Sequence, residues 1–245
     1  MKTFERIKSK IKSLTRFERI LWICSVAVVI VACLCSPHTE PLADLFRVFG
    51  SVVGVTSLLL IAKGYASGQF LMVLFALLYA AISFRVRYYG EMLTYLCMSG
   101  PIALVSGINW LMHPFRDTDE VAVSRLGKKG LIVTSLLTVA VTVVFFFLLK
   151  DLGTANLLFS TLSVTTSFFA SAITFLRSPW FALAYASNDV VLIVLWIMMS
   201  ARDISYLPMI ACFLTFLFND FYGFLSWRKR EKKQRELTER EKTND

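Results

Sequence analysis

A chain of 245 residues that is 56% hydrophobic and only 18% charged cannot cover the outside of a water-soluble fold with polar groups. Its net charge of +9 comes from basic residues that flank apolar runs and form no single folded patch, which excludes nucleic acid as the partner of that charge and leaves membrane lipid. A spanning helix needs about 20 mainly apolar residues, and eight such segments account for nearly the whole chain, so the expected fold is an all-α integral membrane protein.

Residues 1–41 read as a basic stub followed by a first span. Phe4, Ile7, Ile11, Leu14 and Phe17 recur at helical spacing opposite Lys and Arg, which suits either a helix lying on an anionic leaflet or a solvated extension of the first span. Ile20 to Cys35 is short, and Val31-Ala32-Cys33 resembles a lipoprotein cleavage box. Ala- and Val-rich helices make such triplets by chance, and the basic region before it is long, so the segment is expected to stay as an anchor. A tight loop from Pro37 to Pro41 follows. The second span, Leu42 to Ala62, carries Gly50 and Gly54 as a close-packing face. In the third, Gln69 to Phe84, the residues Gln69, Met72, Ala76, Tyr79 and Ser83 share one stripe, which should point inward.

After the polar turn Arg85 to Glu91, the fourth span, Met92 to His113, contains Pro101 as a possible kink, with Ser99, Ile102, Ser106 and Asn109 along one side beside Trp110. Residues 114–152 form a basic connector and a linker helix, whose Thr134, Ser135, Thr138 and Thr142 can bond back to their own carbonyls. The sixth span, Asn156 to Leu176, is rich in Ser and Thr, which favours tight packing. The seventh and eighth, WFALAYASNDVVLIVLWIMM and YLPMIACFLTFLFNDFYGFLSW, each bury the pair Asn-Asp deep in an apolar run: Asn188-Asp189 and Asn219-Asp220. A carboxylate at that depth costs roughly 2.5–3.5 kcal/mol on insertion scales, so these side chains are expected to face a cavity. A charged tail, 228–245, closes the chain.

The order of spans predicts one N-terminal helix plus a 3+1+3 core of two parallel three-helix repeats, 42–113 and 153–227, with substrate at their interface. With both termini cytoplasmic, only Arg47, Arg85, Arg87, Lys150 and Arg202 of the 26 basic residues fall on the outer side, a bias that orients the chain strongly in a cytoplasmic membrane. The cysteines Cys24, Cys33, Cys35, Cys97 and Cys212 sit in apolar runs without metal spacing, and neither a nucleotide-binding loop nor a Ser/His/Asp set is present. No enzyme, metal or cofactor is expected.

Tyr89-Gly90-Glu91-Met92 ahead of a Pro101-containing span, Asn188-Asp189 followed by Leu195-Trp196, and Asn219-Asp220-Phe221-Tyr222-Gly223 closing on Trp227-Arg228-Lys229 resemble the PnuC-type vitamin transporters. The likeness covers Leu42 to Lys229. It implies a core akin to the SWEET sugar transporters with the repeat duplicated in full, a homotrimer, and facilitated diffusion of nicotinamide riboside trapped by a cytoplasmic kinase; relatives carry thiamine or riboflavin. Members that carry nicotinamide riboside usually show Trp-x-x-Trp at the start of the seventh span, then an amide or acid one turn on. Here Asp189 takes that last place, Tyr185 stands for the second Trp, Ala182 for the first, and Trp180 is two residues off register.

The residues themselves point to a flat cation. Such a ligand needs an aromatic face, worth about 0.5–2 kcal/mol when desolvated, an anion and orienting amides. Asp189 is expected to hold the positive ring, Tyr185 to stack on it, and Asn188 and Asn219 to orient it, with Gln69, Tyr79, Asn109, Trp110, Trp196, Thr215 and Tyr222 as further lining. Trp110, Trp196 and Trp227 lie near span ends, where an interfacial belt is the default. Asp220, about 100° from Asn219 around the helix, is expected to pair with a Ser, Thr or Arg of a neighbour. Rival classes are a proton-coupled carrier that titrates Asp189 or Asp220, and a scaffold or enzyme that binds no small cation.

Overall fold

The computed structural model describes residues 14–35, 41–85, 88–154 and 156–244. The amphipathic stub up to residue 13 and the Pro37 loop lie outside them. The described residues form eight helices: α1 Arg16–Leu34, α2 Pro41–Ala62, α3 Ala66–Arg85, α4 Tyr89–Met112, α5 Lys128–Asp151, α6 Leu157–Phe175, α7 Phe181–Ser200 and, after a 3-10 turn at Ile204–Tyr206, α8 Leu207–Asn244. Seven are long and apolar enough to cross a membrane, and α2 contributes the apolar stretch Val48–Ala62. The expected all-α fold with its 3+1+3 core is therefore what the chain forms.

Six helices close into a ring in the order α2, α3, α4, α6, α7, α8 and back to α2. Within each triple, consecutive helices pack together; the two triples meet at α4 with α6 and at α8 with α2. Outside the ring, α1 fills the notch between α2 and α8, and α5 leans chiefly on α6, with Leu149 reaching the start of α4. Leu136, Val139, Val144 and Phe147 of α5 are largely exposed, as lipid-facing positions should be.

Helix ends explain how the ring is tied. Trp227 Nε1 donates to Ile61 O at 2.8 Å and Ser226 Oγ to Ala62 O at 2.8 Å, satisfying carbonyls that the last turn of α2 leaves free. Trp110 Nε1 donates to Thr174 O at 3.1 Å and Asn109 Nδ2 to Phe175 O at 2.7 Å, doing the same for α6. The last helix of each triple thus caps the first helix of the other. Trp110 and Trp227 also touch, with ring centroids 5.1 Å apart, and Phe181 packs on both. This corrects the belt expectation: Trp110, Trp196 and Trp227 are all buried inside the bundle. Trp180, which is exposed, has the Arg228 guanidinium over its ring instead.

The start of α1 is anchored by one carboxylate. Thr15 and Glu18 form a capping box, and the buried Glu18 also accepts from Lys63 Nζ at 3.1 Å and from Tyr222 OH at 2.8 Å. Trp22 Nε1 to Thr56 Oγ1 at 2.9 Å and Asn219 Nδ2 to Ser25 Oγ at 3.1 Å complete the seam. A charge in a basic stub thereby becomes a structural rivet.

In α4 the expected kink at Pro101 is resolved differently. The segment Thr94–Ser99 is a π-helix, and Gly100 N–H bonds Tyr95 O, so the turn is widened just where proline removes a donor. The tail, expected to be solvated, extends α8 as one helix of 38 residues, about 57 Å long at 1.5 Å per residue. Its Arg230 bonds Glu120 at 2.9 Å and Ala62 O at 3.1 Å, while Gln234 bonds Val123 N at 2.8 Å and Val121 O at 3.1 Å, holding the α4–α5 loop against the end of α2. In α5, Thr138 bonds back to Thr134 O as expected, whereas Thr142 reaches across to Thr165 of α6 at 2.9 Å.

Close helix approach falls at Gly54 and Gly68. A Cβ on Gly68 would stand 2.7 Å from Ile61 N, and one on Gly54 would stand 2.4 Å from the Phe216 ring; on Gly50 the nearest atom is an ordinary 3.6 Å away. Gly68→Ala should therefore lower stability by about 1–3 kcal/mol through overpacking against backbone that cannot yield. Gly50→Ala should leave the melting temperature in detergent unchanged or slightly raised, because it improves helix propensity without a clash.

Candidate functional site

The inner face of α7 runs Phe181, Ala182, Tyr185, Asn188, Asp189, Leu192, Leu195 and Trp196, steps that keep these side chains toward the ring interior. Asp189 is 3% exposed and Asp220 on α8 is 4% exposed. Their carboxyl groups lie beside each other across the α7–α8 crossing. Asp189 Oδ2 is buried with no hydrogen-bond partner. Such an orphaned acceptor is costly in a native interior and points to a ligand or water that would complete it.

Around this pair stand polar groups of α6 and α7. The Tyr185 hydroxyl shares a hydrogen bond with Ser171 Oγ at 2.8 Å and lies close enough to feel both aspartates. Asn188 Oδ1 accepts from Thr166 Oγ1 at 2.8 Å and Ser167 Oγ at 3.0 Å, fixing the orientation of its amide. From the other triple, Gln69 is buried with Nε2 unpartnered. Beyond Asp189 the wall is aromatic: Trp196 Nε1 donates to Tyr79 OH at 2.9 Å, and Tyr79 packs on Tyr95 with centroids 4.2 Å apart and on Phe75 and Phe213 at 5.6 Å. Acids, amides and aromatic faces thus converge in the middle of a membrane-spanning ring.

Sequence positions and structure part company on α8. Asp220, expected against a Ser, Thr or Arg, is the residue that turns to α7. Asn219 turns outward, donating to Ser25 of α1 and, at 2.7 Å, to Thr215 O. Thr215 bonds Cys212 O at 2.7 Å, and Tyr222 serves Glu18, so the stripe Thr215, Asn219, Tyr222, Ser226 is the seam to α1 and α2. Asn109 and Trp110 are committed to the end of α6. Tyr185, Asn188, Asp189, Gln69, Tyr79 and Trp196 are brought to the interior. Sequence reasoning passed over Tyr95 and the depth of Glu91, which is 1% exposed with both carboxylate oxygens unpartnered. The signal available was the acid and the aromatic one turn apart at the start of α4; the π-helical register hid it.

Ala182, in the place of an aromatic residue in the related motif, faces Gly223, whose Cβ position lies 3.7 Å from Ala182 Cβ and from Ala62 Cβ. The crossing leaves no room for a ring there. Among the described residues, one cavity of about 550 Å³ lies between the tail and the α4–α5 loop and another of about 510 Å³ in the outer groove between α4, α5 and α6. Neither is lined by Asp189 or Asp220, which were expected to face a cavity and are instead enclosed by side chains, at 3% and 4% exposure. Among the described residues no cluster of His, Cys, Asp and Glu could hold a metal ion.

Residues 44–229 match the family model described as Nicotinamide mononucleotide transporter. The chain belongs to this family. Its members are membrane transporters and not enzymes. Among curated proteins, the chain is similar to the nicotinamide riboside transporter PnuC of Neisseria mucosa, 24% identical over 75% of this chain and 72% of that one. It is also similar to the nicotinamide riboside transporter PnuC of Haemophilus influenzae, 23% identical over 93% of this chain and 97% of that one. Among solved structures, the vitamin B3 transporter PnuC has the same fold, with a TM-score of 0.77 at 22% identity over 91% of this chain and 94% of that chain.

The contact between the two aspartates makes a distinguishing prediction. Asp220→Asn can donate an amide hydrogen to Asp189 and should melt at or above the temperature of the parent protein. Asp220→Ala leaves the partner carboxyl buried and unpaired, and should cost about 1–3 kcal/mol in the same detergent melt.

Proposed function

We propose that this protein takes up a flat, positively charged vitamin across the cytoplasmic membrane, with nicotinamide riboside as the substrate that fits best. The observation that carries the reading is the unpartnered Asp189 Oδ2, buried beside Asp220 and Tyr185 on the inner side of the α7–α8 crossing. A pyridinium ring placed there gains a carboxylate and an aromatic face together, and its carboxamide and ribose find Asn188 and Gln69. The family and its relatives, transporters of nicotinamide riboside by description, support the same ligand class.

Transport then proceeds by alternating access between the repeats 42–113 and 153–227, because a site closed on all sides exchanges ligand only through helix motion. The loops α2–α3, α4–α5 and α6–α7 and the tail are bound to one another on one face, through Val121 N to Gly64 O at 2.9 Å, Arg230 to Glu120 and Ser124 N to Arg177 O at 3.0 Å. That face carries most of the basic residues and is assigned to the cytoplasm by the positive-inside rule, with both termini inside. Facilitated diffusion, trapping by a cytoplasmic kinase and assembly as a homotrimer complete the reading. Thiamine is the alternative vitamin, since Tyr185 and Ala182 replace the two tryptophans. A proton-coupled carrier is the second mechanism, favoured by the side-by-side burial of Asp189 and Asp220 without a basic partner among the described residues.

Equilibrium titration of the purified protein with nicotinamide riboside, thiamine and riboflavin separates these. One cationic vitamin should bind, and Asp189→Asn should weaken it about ten-fold or more, the loss of roughly one charge contact. Binding of riboflavin alone defeats the electrostatic reading. In kinase-free vesicles, a protonophore should leave uptake unchanged for facilitated diffusion and abolish accumulation for proton coupling.

A further inference from the structure

Glu91 is the deepest charge that the proposed site does not use. It lies in the first turn of α4, at the opposite end of that helix from Trp110, and neither carboxylate oxygen has a hydrogen-bond partner. The Ser163 hydroxyl beside it on α6 is also buried without a partner. Among the described residues, no ion pair reaches Glu91, Asp189 or Asp220. An unpaired carboxylate in so dry a place is retained at a cost, and cation pathways are where membrane proteins keep such groups.

Two aromatic residues connect it to the aspartates. Tyr95 stands near both Glu91 and Asp189, and Tyr79, whose ring meets that of Tyr95 at 52° with centroids 4.2 Å apart, stands near Glu91. Tyr95 is set by the π-helical stretch Thr94–Ser99, an irregularity that recurs at functional positions because it costs a regular hydrogen-bond register. Above Glu91, Gly90 packs under the end of α5 and the turn that follows: a Cβ there would meet Leu149 at 3.0 Å and Thr154 at 3.1 Å. The Thr154 hydroxyl is another buried group without a partner. The polar atoms left open therefore run from Asp189 toward the face that carries the α5–α6 turn.

We propose that Glu91 is a second carboxylate station for a cationic substrate, reached across the Tyr95 ring from Asp189 on the way to or from the face opposite the tail. The proposal rests on the cationic-substrate reading of Asp189. A ligand that leaves one acid moves past an aromatic face to a second acid, so its charge is never stranded in the apolar interior. Glu91 then governs the rate of exchange, and Asp189 governs the affinity at rest.

The test pairs equilibrium binding of nicotinamide riboside in detergent with counterflow of the labelled vitamin in proteoliposomes. Glu91→Gln should bind within about two-fold of the parent protein yet exchange about ten-fold more slowly, the loss of roughly one charge contact in transit. Glu91→Asp, which keeps the charge on a shorter arm, should recover part of the rate; if Glu91→Gln fails to fold, the same split between intact affinity and slowed exchange is read in Glu91→Asp. Unchanged counterflow in the folded variant overturns the proposal while leaving Asp189 in place. Loss of equilibrium binding at an unchanged melting temperature overturns it too, by moving Glu91 into the resting site. If the parent protein binds no cationic vitamin, the Asp189 reading fails and this one with it.

Discussion

Inside a bilayer, every polar group must be satisfied by the protein itself, and the costliest departure from that rule is a buried carboxylate left without a base. Asp189 and Asp220 meet each other instead of a base, and Asp189 keeps an oxygen unfilled. The rest of the ring is arranged around that imperfection. Serines and threonines of α6 hold Asn188, Trp196 holds Tyr79, and six helices enclose the whole. Removing the acids would improve the packing of an inert bundle, which is why their presence speaks for function.

A contrast with Glu18 makes the point. That carboxylate is as buried as the aspartates, yet it has the Thr15 amide, Lys63 and Tyr222 around it and serves only to seat α1. Burial alone does not mark a site. Burial with an unfilled valence does, and among the described residues Glu91 and Asp189 show it.

Much of the architecture was legible because the bilayer imposes a coarse code: eight apolar runs, punctuated by bases, translate directly into eight helices in order. The inward stripe of α3 was equally readable, since Gln69, Ala76, Tyr79 and Ser83 are all buried. What the code omits is which face of a helix meets which neighbour. The outer notch between α2 and α8 is taken by α1, so Asn219 and Tyr222 look toward α1 and Asp220 turns inward; a pattern of steps along α8 alone could not reveal this. Trp110 and Trp227 were hidden for a related reason, because a tryptophan near a span end resembles an interfacial anchor until the carbonyls it caps are known. In α4 the π-helical turn shifts the register by a fraction of a turn, enough to conceal Tyr95.

The continuity of α8 gives the molecule a lever. Asp220 sits about 36 Å along the helix from Asn244, so a tilt of 10° around the acid sweeps the far end through about 6 Å. Because Arg230 and Gln234 grip the α4–α5 loop, that sweep drags the segment joining the two halves of the ring. An event at the scale of one carboxyl is thereby magnified into a displacement large enough for a partner in the aqueous phase to feel, or for a fluorophore fixed near the C-terminus to record.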